Sequence, residues 1–135
     1  MTTQTLEQRR AGDALAQVAA LNRESPAFKE RYRAYVDRLC ASIVMTGLGQ
    51  ALATERAAAG PKPTKDGERA HAALYEHVQQ WLCRRDGVYA QAADLLQAIT
   101  TSDEALYLHA EAEALAWLQW HKKFCRAAFP KGAEE

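Results

Sequence analysis

Apolar residues recur along this chain every three or four positions, the period that turns one face of an α-helix inward. Thr5 followed by Gln8 forms a capping box opening a first helix, with Ala11, Ala14, Leu15, Val18 and Leu21 on its inner face and Arg9 opposite. Asn22 to Ser25 ends it, and Ser25-Pro26, an N-cap serine before a first-turn proline, starts the next helix. There Phe28, Tyr32, Tyr35, Val36, Leu39 and Ile43 repeat with helical period. Arg31 and Arg38 line one edge of that face, and Arg33 lies on the other side.

From Cys40 to Leu52 the chain is apolar nearly all round, which predicts a helix buried on most sides. Gly47 and Gly49 each cost about 1 kcal/mol inside a helix, tolerable where a neighbour approaches closely or the chain bends. A kink or short break is expected near Cys40 to Ser42, dividing two consecutive helices. Gly60-Pro61-Lys62-Pro63 stops the second of them and opens a mobile loop, about residues 60–66. A further helix begins at Thr64 to Asp66, packs Leu74, Tyr75, Val78, Trp81 and Leu82 inward, and closes over Arg84, Arg85 and Gly87. A shorter helix is expected from Tyr89 or Ala90 to Ile99, and Thr101 with Glu104 as a capping box opens the last.

That last stretch, Asp103 to Phe129, has no glycine or proline. Tyr107, Ala110, Ala114, Trp117, Leu118, Cys125 and Ala128 share one broad face, which Leu108, Leu115 and Phe124 widen, so the helix is expected to be mostly covered. Its charges are sorted: Asp103, Glu104, Glu111 and Glu113 precede Lys122, Lys123, Arg126 and Lys131. This order matches the helix macrodipole, and it also places a basic surface on the last turns. No window shows strand alternation or an internal repeat. The reading is an all-α, single-domain antiparallel bundle of five or six helices over residues 1–135. It has a long C-terminal helix and a tail, 130–135, expected to be disordered. The expected core includes Tyr35, Leu39, Ile43, Leu48, Leu52, Val78, Leu82, Leu96, Leu115 and Leu118.

Composition narrows function. With 17 basic and 17 acidic residues among 135, the formal net charge is zero. That argues against a nucleic-acid binder driven by overall charge, though not against a local basic strip. Cys40, Cys83 and Cys125 lie far apart with no CxxC pair, as expected for free thiols in a reducing cytoplasm. The N-terminal segment lacks the apolar run of a signal peptide, and no stretch approaches a membrane span, so a cytoplasmic protein without membrane contact is expected.

Catalytic chemistry has little to stand on. His71, His77, His109 and His121 show no HxxxH or HExxH spacing, so no metal and no cofactor is expected. Glu111 and Glu113, two apart, point in different directions on a helix and cannot act as a pair. His121 and Cys125 are one helical turn apart, but the cysteine falls in the middle of the apolar face, where a thiol is packing. His71 is expected on the inner face of its helix as a hydrogen-bonded structural residue. The basic clusters are the better lead: Arg31 with Arg38, and Lys122 and Lys123 with Arg126. Trp117 and Trp120 could stack on bases, yet tryptophan in an apolar helix is more often core.

The run Tyr32 to Ala53, YRAYVDRLCASIVMTGLGQALA, with Glu113 to Phe129, EALAWLQWHKKFCRAAF, resembles the small α-helical subunit of the type III-B CRISPR effector (Cmr) complex. The first run matches a basic-aromatic helix leading into a glycine-leucine turn, the second a tryptophan, basic pair and phenylalanine at Trp120, Lys122, Lys123 and Phe124. LEQRRAGDALAQV near the N-terminus also fits. Cys40 stands where that family often has proline, and His121 where it usually has an apolar residue. The resemblance implies a non-catalytic scaffold whose copies form a filament beside the other complex subunits. It also implies a groove between filaments that holds guide and target RNA. Two further readings compete: a helical protein–protein adaptor without nucleic acid, and an enzyme using His71 or His121, which would need a pocket converging on that histidine.

Overall fold

A computed structural model describes residues 3–132. Six α-helices follow one another: α1 (Leu6–Ala20), α2 (Pro26–Thr46), α3 (Leu48–Ala59), α4 (Asp66–Leu82), α5 (Leu95–Thr101) and α6 (Glu104–Ala128). A 3-10 turn, Leu21–Arg23, joins α1 to α2, and no strand occurs among the described residues. α6 packs along α1 and α2, while α4 packs along α2 and α3. Of the expected disordered tail, residues 133–135 lie outside the described residues.

Local chemistry starts the first two helices as expected. The Gln8 amide donates to Thr5 Oγ1 at 3.0 Å, and the Thr5 amide donates to Gln8 Oε1 at 2.8 Å, closing the capping box. Ser25 Oγ accepts from the Phe28 amide at 3.1 Å, with Pro26 in the first turn.

Further on, several expected boundaries and faces are corrected. α2 does not break near Cys40 to Ser42; it runs to Thr46 and ends at Gly47, whose φ of 90° few other residues adopt. What fixes the break there is α6. Glu111 Oε2 accepts from the Leu48 amide at 2.9 Å and the Tyr107 hydroxyl from the Gly49 amide at 3.0 Å, so two distant side chains cap α3. A Cβ on Gly47 would stand 3.2 Å from that hydroxyl. The apolar run around the break is also less covered than its composition suggests, with Val44 74% and Met45 82% exposed. Only one side of α2 there, through Leu39, Cys40 and Ile43, meets the core.

The helix expected from Tyr89 is the shorter α5, beginning at Leu95. Before it the chain folds back over the end of α4, whose last residue is Leu82 rather than one near Gly87. The Tyr89 amide donates to Leu82 O at 2.9 Å and the Gln91 amide to Cys83 O at 3.0 Å. These bonds satisfy helix-end carbonyls that a continuing helix would use. Gly87 fits because a Cβ would lie 2.6 Å from Leu82 O. Asp94 then caps α5 and Asp103 caps α6, accepting from Leu106 N at 2.8 Å; Thr101 instead closes α5 on Gln97 O. The acid nearest the helix start thus takes the place expected of Thr101.

Leu39, Ile43, Leu48, Leu52, Val78, Leu82 and Leu118 are buried in one core, with Tyr35, Leu96 and Leu115 half-buried at its rim. Leu15 and Leu108, expected on inner faces, are more than half exposed, and Ala128 is also exposed. Leu118 has no solvent exposure, so Leu118→Ala is expected to cost about 2–5 kcal/mol in urea unfolding; a loss below about 1 kcal/mol would place it outside the core.

Candidate functional site

Lys122 and Arg126 sit on the edge of α6 that meets α2. Arg126 Nη2 lies 3.2 Å from Asp37 Oδ1, and Arg33 Nη1 donates to Phe129 O at 3.0 Å, so the helices run antiparallel here. Burial raises the Cys40 thiol pKa in this seam, and nearby Lys122 and Arg126 pull against that while Asp37 adds to it. Lys123 is exposed one position round the helix. The structure therefore gathers Lys122, Lys123 and Arg126 at one end of the α2–α6 seam, with one acid, Asp37, paired to Arg126.

Arg31 and Arg38 are not part of that seam. At about 100° per residue they fall together on the opposite edge of α2, facing α3 and α4, with exposed Ala34 and Ala41 on the crest between. The Arg38 guanidinium lies 5.2 Å from the Tyr35 ring centroid, and its charge reaches Glu55. Glu55 is buried, accepts from His71 Nδ1 at 2.8 Å, and has its pKa raised by burial against the pull of His71. His71 is therefore hydrogen-bonded, as expected, but it also lines an open cleft. Glu111 and Glu113 point apart, towards Leu48 N and towards Arg10 respectively.

Sequence reasoning missed two buried polar networks. In the first, the Tyr32 hydroxyl lies 2.6 Å from His77 Nδ1 and 2.6 Å from His121 Nε2. One hydroxyl proton serves two ring nitrogens, so one histidine accepts it and the other donates its N–H to the Tyr32 oxygen. His121 stacks on Trp117 with centroids 4.3 Å apart; its Nδ1 makes no side-chain hydrogen bond, although the Ala14 backbone lies beside it. Burial lowers the His77 pKa to about 4 and, with the neighbouring His77 ring, the His121 pKa to about 3. These rings are neutral, sealed and joined to packing rather than to a cavity. Burial likewise pushes the Cys125 thiol up to about 12, an inert packing group. In the second network, Arg10 clamps Glu113 with two bonds of 2.7 Å, and Trp81 Nε1 donates to the same carboxylate at 3.0 Å. Burial alone would raise the Glu113 pKa; the Arg10 and Trp81 bonds outweigh it and hold it below the ordinary value. Each network draws residues from three helices, and its only local trace is a polar residue at an inward wheel position.

Among the described residues no group of three or more histidines, cysteines or acids is placed to hold a metal ion. No helix among the described residues is long and apolar enough to cross a membrane. A bundle of six helices whose polar interior is tied off in structural networks, with cations at its surface, defines a helical-bundle protein. The chain belongs to the Cmr5 family of CRISPR-associated proteins, whose family model matches residues 6–128. It is similar to the crystal structure of a CRISPR-associated Cmr5 family protein from Thermus thermophilus. That structure has a TM-score of 0.73 and 27% sequence identity, and the match covers 94% of this chain and 100% of that one. No curated protein matches.

The histidine network has a defined pH signature. Both folded-state pKa values lie below the ordinary 6.5, so the unfolded chain takes up protons first. Stability should fall as pH drops below about 6.5, losing about 2 kcal/mol per histidine by pH 5. Urea unfolding at pH 7 and pH 5 should show this, and the paired change His77→Gln, His121→Gln should remove most of the slope. Tyr32→Phe leaves buried ring nitrogens unpaired and should cost about 1–3 kcal/mol at pH 7.

Proposed function

We propose that this chain is a non-catalytic small subunit of a type III-B CRISPR effector complex, working in the cytoplasm in antiviral defence. In this reading copies of the chain assemble beside other subunits of the complex and line the groove that holds guide and target RNA. The family match over residues 6–128 is the observation that carries it. Zero net charge suits a subunit with neutral contact faces and basic residues only where a strand passes. Lys122, Lys123 and Arg126 are the proposed phosphate contacts, helped by Arg31 and Arg38 across the crest of α2. Such contacts position a strand and read no sequence.

A second reading, a protein–protein adaptor without RNA, is favoured by one observation: Asp37 already neutralises Arg126. The two separate in a salt titration of RNA binding by the assembled complex. If about three phosphates are neutralised per subunit, log K falls against log salt with a slope of roughly −2, at about −0.7 per contact on a single strand. Replacing Lys122 and Lys123 with alanine should flatten that slope and weaken capture equally for all sequences, leaving the fold intact. An unchanged slope and affinity would leave the adaptor.

A further inference from the structure

The first half of α2, the end of α3 and the opening turns of α4 form a cleft of about 450 Å³, lined by Arg31, Tyr35, Lys65 and His71 together with two acids, Asp66 and Glu68. That volume is within the range of small-ligand sites. Its floor is a rigid stack, the Tyr35 and His71 rings 3.6 Å apart between centroids and 11° from parallel. Below them, buried Glu55 takes the hydrogen bond from His71 Nδ1 at 2.8 Å. This fixes both ring orientation and tautomer: Nδ1 donates, so in the neutral ring Nε2 accepts, and it has no protein partner among the described residues. Gly67 lets the first turn of α4 close on the floor, for a Cβ there would stand 3.2 Å from the Tyr35 hydroxyl and 3.7 Å from Arg31 Nη1.

The charges around the cleft are unevenly satisfied. Asp66 is engaged by Arg69 at 3.6 Å and Ser25 Oγ at 3.4 Å, and Arg69 also holds Glu24. Glu68 accepts from the Thr64 and Lys65 amides at 3.1 Å each. Arg31 and Lys65, by contrast, have no ion-pair partner among the described residues. A ligand entering here therefore meets Arg31, together with Lys65 whose charge also acts on Glu68, beside the opening turn of α4. One helical turn further on, about 5.4 Å along the axis, it meets an outward lone pair on His71.

We propose that this cleft holds one ribonucleotide unit, its phosphate bound by Arg31 and Lys65 and a sugar hydroxyl donating to His71 Nε2. The pairing suits a nucleotide because it joins anion recognition to a hydroxyl acceptor, and a 2′-hydroxyl is what distinguishes RNA from DNA at a site. The cleft faces away from the α2–α6 seam and does not rest on the role given to Lys122 and Lys123. Its source is either a strand of RNA or a free nucleotide, two cases with the same chemistry.

The full-length protein titrated with AMP, 2′-deoxy-AMP and a short oligouridylate in low salt, followed by amide and histidine-ring NMR signals, tests this. AMP, the oligomer or both should shift Gly67 and His71 saturably, and whichever does so names the source. The deoxy compound should bind several-fold more weakly than AMP. Arg31→Ala and Lys65→Ala, both at exposed positions, should each weaken binding roughly tenfold, the worth of one charge-assisted hydrogen bond. Lys122→Ala with Lys123→Ala should leave the shifts caused by AMP unchanged, which separates failure of the seam from failure of the cleft. No saturable shift with any ligand, shifts indifferent to Arg31 and Lys65, or equal binding of the deoxy compound would overturn the proposal.

Discussion

Three of the long helices meet at a single hydroxyl. Tyr32 on α2 reaches His77 on α4 and His121 on α6, both at 2.6 Å, with none of its own surface exposed. A buried polar group costs free energy unless it is paired, so each helix must sit in the register that completes the bonds. Apolar packing alone tolerates a slip along a helix axis; a three-way hydrogen bond does not. Phe28, Phe129 and Trp117 then close around the cluster as aromatic neighbours. The Arg10–Glu113–Trp81 network does the same for α1 against α6 and α4, pairing a buried carboxylate that would otherwise be strongly destabilising.

These two networks consume much of the polar chemistry that a catalytic reading would want. His121 and Cys125, one turn apart in sequence, end as a sealed neutral ring and an unreactive thiol. Glu113, one of the sorted acids of α6, is an internal counter-ion rather than a surface charge matched to the helix dipole. Lys122, Lys123 and Arg126 stay accessible by the α2–α6 seam, as does the Arg38–Tyr35–His71 layer with Arg31 on the other side of α2. One helix thus separates two surfaces of different character, an open basic strip and a shaped cleft of mixed charge.

Much of the architecture was legible in the sequence because it rests on local chemistry. Thr5 with Gln8 and Ser25 with Pro26 satisfy helix-start amides from within four residues, and the 3.6-residue apolar period marked Val36, Leu39, Leu74, Val78 and Leu118 as inward. The all-α class and the long last helix follow from these alone, and the family resemblance at Tyr32 to Ala53 and Glu113 to Phe129 agrees with the match over residues 6–128. The break at Gly47 was not legible in place, since its position depends on Tyr107 and Glu111 some sixty residues away. Nor was the fold-back after Leu82, where backbone amides of Tyr89 and Gln91 cap α4 without any side-chain signal.

The candidate site divides in the same way. The sequence by itself determined which cations exist and, through helical spacing, that Arg31 goes with Arg38 and Lys122 with Arg126. Only tertiary structure decided that Asp37 faces Arg126, that Glu55 orients His71, and that Lys65 and Gly67 come up beside Arg31. Spacing along one helix is set by backbone geometry within a few residues, whereas convergence between helices is set by packing across the whole core. The first is therefore written in local order, and the second arises only when α2, α3, α4 and α6 close on one another.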